Sequence, residues 1–164
     1  MAAISPYRAL TPDERAELIV RVIKANKATR ALFVMRVLEK LRGFRAVTLQ
    51  KWPAQQLARE VVRLKAETPQ DEFDLLLALY VELEPEIQIA FLDAAGVKHE
   101  KGAIDDELDP PYGDAAAVAA GVAAVRAAHG ERGERYLQTL LFYNSELWPG
   151  IETLVTASEV PASS

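Results

Sequence analysis

"TPDERAELIVRVIKANKATRALFVMRVLEKLRG", residues Thr11 to Gly43, decides the fold class. It opens as a helix does. Thr11 suits the N-cap, Pro12 the first helical position, and Glu14 stands where it would complete a capping box. Ala16, Ile19, Val20 and Ile23 then recur at helical spacing to about Lys24. A second helix is expected from about Ala28 to Arg42, with Gly43 just past its end. Ala31, Leu32, Val34, Met35, Val37, Leu38 and Leu41 cover most of its faces, which predicts a central, buried helix.

The same signals continue outward. Pro53 suits the start of a third helix with Leu57, Val61 and Leu64 on its buried face and Arg59 and Arg63 elsewhere. Thr68 and Pro69 repeat the first start signal, and acids fill the following turn. That fourth helix reaches about Glu82 through Phe73, Leu76, Leu77 and Tyr80, and Pro85 ends or kinks it. A short fifth helix carries Ile87, Ala90, Phe91 and Ala94 to Gly96. After a long connector, Asp114 caps an alanine-rich helix striped by Val118, Val122 and Val125 and stopped at Gly130. A seventh helix spans about Glu131–Leu147, and Pro149 starts a short eighth. No segment alternates convincingly with the period of a strand.

The expected fold is therefore all-α: a compact bundle or short helical superhelix of about seven to eight helices. "LLALYVELEPEI" (76–87) and "LLFYNSELWPGI" (140–151) echo each other at a spacing of 64, which leaves room for two similar helix–Pro–helix halves. Length suits one domain, residues 1–157, with a flexible tail at 158–164. Residues 96–114 read as an ordered connector, with a helical turn near Ala103–Leu108 pinned by Ile104, Leu108 and Tyr112.

Composition narrows the function. There is no cysteine, which excludes disulfides, thiolate chemistry and Cys-based zinc sites. The start of the chain lacks the apolar core of a secretory signal, and the longest apolar run, Ala115–Val125, is too short to span a bilayer. A soluble cytoplasmic protein without a membrane partner is the expectation. The net charge of −5 hides an asymmetry: residues 1–66 carry 14 Lys/Arg and 5 Asp/Glu, for +9, and residues 67–164 carry 5 and 19, for −14. A basic half, 1–66, thus precedes an acidic half, 67–157.

No motif carries chemistry. The residues three before His99 and His129 are Gly96 and Arg126, so the Glu-x-x-His of helical di-iron sites is missing. Asp105, Glu107 and Asp109 mimic the start of a calcium loop, but its sixth position is Pro110 and its twelfth Ala116. Nothing resembles a nucleophile elbow, a phosphate loop or a dinucleotide fingerprint. His99 with Glu100 or Asp105 is better explained as a surface histidine in an acidic loop. No catalytic residue, metal ligand or cofactor is assigned.

What remains is the turn 36–51, where Arg36, Lys40, Arg42, Arg45 and Lys51 are interleaved with Phe44 and followed by Trp52. Cations with aromatic rings can hold a phosphate backbone and stack bases; against that, Arg36 and Lys40 fit the rim of a buried helix, and Phe44 and Trp52 fit the core. The leading expectation is a non-catalytic helical interaction or scaffold module that binds another protein or its own copy. The alternative is a nucleic-acid or anionic small-ligand binder using that turn, and an enzyme ranks behind both. The helical reading predicts a far-ultraviolet circular-dichroism spectrum with more than about half helix, well above the usual third; a clear sheet signature would overturn it.

Overall fold

The Thr11 hydroxyl accepts from the Glu14 amide at 3.1 Å, and the helix α1, Pro12–Ala25, follows from that cap. The computed structural model describes residues 4–156. Of the chain, 69% is helical, and the described residues form eight α-helices with one two-stranded ladder, so the fold is all-α. The tail assigned to residues 158–164 lies outside the described residues. The chain divides into two units, Leu10–Leu79, and a second made of the residues up to Ala9 with those from Tyr80 on.

The first unit holds α1, α2 (Lys27–Lys40), α3 (Ala46–Gln50), α4 (Ala54–Arg63) and α5 (Pro69–Ala78). Asn26 both ends α1 and caps α2, its side chain accepting from the Ala28 and Thr29 amides. Leu18, Ile19, Val22 and Ile23 of α1 are buried, as are Phe33, Val34 and Val37 of α2 and Leu57, Ala58 and Val61 of α4. These are single stripes at helical spacing, each set burying apolar area that drives the packing. α2 is accordingly less central than its composition suggests, because its burial is confined to one stripe and Met35 stays 60% exposed.

α5 begins with a full capping box. The Thr68 hydroxyl accepts from the Asp71 amide, and the Asp71 carboxylate accepts from the Thr68 amide at 3.0 Å. The same carboxylate, 3% exposed, takes two bonds from Arg36 of α2, Nε at 2.8 Å and Nη2 at 3.2 Å. Burial alone would raise the Asp71 pKa. The Arg36 hydrogen bond, the Thr68 backbone and side chain and the Arg36 charge together reverse that and lower it.

A π turn, Leu79–Leu83, carries the chain into the second unit and leads to α6 (Pro85–Ala95). Beyond it come β1 (His99–Glu100), β2 (Ala103–Ile104), the long α7 (Ala115–Asn144), a 3₁₀ turn and α8 (Ile151–Leu154). Asp114 caps α7, accepting from the Ala117 amide at 2.8 Å, and Val118, Val122 and Val125 are all buried as the stripe predicted. α7 breaks at Gly130, whose φ of 52° and ψ of −125° are not helical. The expected stop between two helices is therefore present as a corner.

The small residues of α7 let α6 come close. A Cβ on Gly121 would stand 2.8 Å from the Phe91 ring and 3.1 Å from the Phe91 carbonyl oxygen. Phe91 meets Tyr136 and Trp148 edge to face, Tyr80 meets Tyr136, and Trp148 meets Tyr112 at 5.3 Å. One chain of rings thus ties the π turn, α6, the second arm of α7, Trp148 and the connector. Burial pushes the Tyr80 hydroxyl up to about 12, against the opposing pull of Thr139, Arg135 and Arg132.

The connector is ordered differently from the sequence expectation. In place of a helical turn over Ala103–Leu108 there is a tight hairpin, with Lys101 and Gly102 both at positive φ and His99 paired with Ile104. The Gly102 amide donates to His99 Nδ1 at 3.0 Å, so Nε2 is left to donate to Asp93 Oδ1 at 2.6 Å, and Gln88 donates to the Gly102 carbonyl. Tyr112 anchors the exit, its amide donating to the Leu147 carbonyl at 2.9 Å. Leu108, expected to be an anchor, is instead exposed.

Asp71→Ala removes a cap and strands a guanidinium that is only partly open to water, so it should cost about 2–4 kcal/mol by urea unfolding. Because the folded pKa of Asp71 lies below its ordinary 3.8, the wild type should hold this contribution above that value and lose it as pH falls through the folded pKa, with a flatter acid limb in the variant. Gly121→Ala drives a methyl into Phe91 and its backbone; a loss of about 1–3 kcal/mol is expected, and an unchanged midpoint would refute the close approach.

Candidate interaction surface

The turn between α2 and α4 is built to present side chains outward. α2 ends as Leu41 turns extended while its amide still bonds the Val37 carbonyl at 2.8 Å. Gly43 follows at φ 88°, a conformation that costs other residues and not glycine. No atom lies near the place of its Cβ, so the constraint is on the backbone alone. The next residues wind into the five-residue α3, which has no side-chain cap and so carried no start signal in the sequence.

Three anchors hold this turn. Leu49 of α3 is fully buried. Arg30, from the first turn of α2, donates to the carbonyls of Gln50 at 2.9 Å and Trp52 at 2.6 Å. Charge-assisted bonds of this kind are the strong ones, and here they close the C-terminal end of α3. Trp52 is half-buried and takes the edge of Phe44 at a centroid distance of 5.7 Å. No local pattern pointed to Arg30, because its acceptors are backbone carbonyls 20 and 22 residues away.

What the anchors leave outside is mixed in character. Phe44 is 46% exposed and Val47 56% exposed. Lys40, Arg42, Arg45 and Lys51 are exposed too, and among the described residues none of the four makes an ion pair or side-chain hydrogen bond. Arg36 stands apart from this group. Its guanidinium is committed to Asp71, which also raises its pKa, through the Asp71 hydrogen bond above all. Of the six side chains singled out in the sequence, the structure sets Arg42, Arg45, Lys51 and Trp52 on one anchored turn, leaves Lys40 at the end of α2, and engages Arg36 in holding α2 to α5. Exposed Phe44 and Val47 complete the turn's apolar part.

The other chemistry-bearing groups have structural duties. His99 and Asp93 fasten the hairpin, and Asp105 accepts from the Glu107 amide and pairs with Lys98 at 3.3 Å. Among the described residues, no three His, Asp or Glu side chains gather where a metal ion would fit, and no helix is long and apolar enough to cross a membrane. No family model, curated protein or solved structure matches the chain.

Proposed function

We propose that this chain is a non-catalytic helical interaction module, and that it binds an acidic protein surface through the turn Lys40–Trp52. One observation supports the reading: exposed Phe44 and Val47 stand among Arg42, Arg45 and Lys51, with those cations unpaired, on a turn fixed by Arg30 and Leu49. Arginine and aromatic residues dominate the energetic centres of protein interfaces. A fixed turn loses little freedom on binding, which favours affinity. The aliphatic part favours a protein partner over nucleic acid, since Val47 offers no ring for a base to stack on. The second reading, a nucleic acid or anionic small ligand, rests on the same cations and on the Phe44 ring.

The test compares the wild type with an Arg42→Glu, Arg45→Glu, Lys51→Glu variant. Each changed side chain is exposed, so the variant should keep its helix content. The wild type should bind poly-glutamate more tightly than mixed-sequence RNA at physiological salt. The variant should lose about tenfold or more of the poly-glutamate affinity. Tight RNA binding abolished by the reversal would replace the leading reading by the second. Unchanged affinity for both polyanions would end both.

A further inference from the structure

The connector of the second unit presents the chemical complement of the basic turn. Asp106, Glu107 and Asp109 are exposed, and among the described residues none of them makes an ion pair. Between them Leu108 is 37% exposed. Beside Leu108 opens a recess of about 240 Å³, lined by Val97, Leu108, Pro111 and Tyr112 with Asp109 and Lys98 also on its wall. That is far more than the roughly 10–15 Å³ that admits one water. Its floor is firm: Val97 is buried, and Tyr112 packs at a tilt against Trp148 and donates its amide to the Leu147 carbonyl.

We propose that copies of this chain associate head to tail, the Phe44 ring of one copy entering the Val97–Leu108–Tyr112 recess of the next. This rests on the reading of the turn as a docking face and names its partner as a second copy. Arg42, Arg45 and Lys51 then meet Asp106, Glu107 and Asp109, and Val47 covers Leu108. The match is three cations to three acids around an apolar centre on each side, so each face satisfies what the other leaves open. Like faces repel, which disfavours a symmetric pairing of turn with turn or connector with connector. Two different patches in contact close into a two-fold dimer where each copy's turn meets the other's connector, and otherwise extend into rings or open chains of copies. Surface pairs are individually weak and are screened by salt, so the association is reversible.

Sedimentation of the full chain over a wide concentration range tests this. The wild type should rise above the 18.1 kDa of one chain at low salt and return to it at high salt. The basic-reversed variant, Arg42→Glu, Arg45→Glu, Lys51→Glu, has two acidic faces and should sediment as one chain. So should the acid-reversed variant, Asp106→Lys, Glu107→Lys, Asp109→Lys, with two basic faces. An equimolar mixture of the two variants should recover association, because each supplies the face the other lacks. Phe44→Ser and Leu108→Ser should each lower the sedimenting mass without touching charge. A wild type that stays at one chain mass at every concentration and low salt overturns the proposal, with no variant needed. Association of the wild type with no recovery in the mixture overturns it as well. A strictly monomeric wild type that still binds poly-glutamate through the turn would refute self-association alone and leave the interaction module standing.

Discussion

The buried Asp71 carboxylate joins two helices of the first unit. It closes its own helix cap, and it receives both arms of the Arg36 fork. A buried charge is costly unless every lone pair finds a donor. Here the donors come from the start of α5 and from the middle of α2, so satisfying one carboxylate fixes the position of two helices. That duty also determines what the basic segment can offer. With Arg36 drawn inward, the cations of the basic segment left for a partner are Lys40 at the end of α2 and Arg42, Arg45 and Lys51 on the turn that Arg30 holds.

The second unit depends on size more than charge. Phe91 fits because Gly121 has no side chain, and the ring then becomes the middle of an aromatic chain from Tyr80 to Tyr112. Edge-to-face contacts add to the area each ring buries. The connector inherits its order from this core: Tyr112 is the last ring, and the recess beside Leu108 has Tyr112 for a wall. The two candidate contact faces therefore rest on different physics, one on a guanidinium bridging carbonyls, the other on rings packed edge to face and at a tilt.

Much of the fold was legible because caps are local. Thr11, Thr68 and Asp114 each act on an amide three residues on, and a reader of the sequence sees both partners at once. The valine stripe of α7 was legible for the same reason. The hairpin at His99–Ile104 was not, since its fasteners, Asp93 and Gln88, lie on α6 and its strands are too short to alternate. α3 has no cap to announce it. The exposure of Met35 and Leu108 was hidden because periodicity shows that a face is apolar and not whether anything covers it. At the site, the cluster of cations could be read directly, whereas the loss of Arg36 to a partner 35 residues away and the gain of Phe44 and Val47 as exposed groups could not.

Gly130 separates two demands that a residue usually meets together. Space is ample, since no atom lies near the position of its Cβ. Its φ of 52° and ψ of −125° are nevertheless the mirror image of ordinary extended backbone for L-residues. The corner of α7 is therefore a question of handedness alone. An L-alanine there would be excluded by its own backbone and by nothing around it, while a D-alanine would sit in its natural conformation with the same neighbours. Glycine holds the place as the one residue of the genetic code that has no hand.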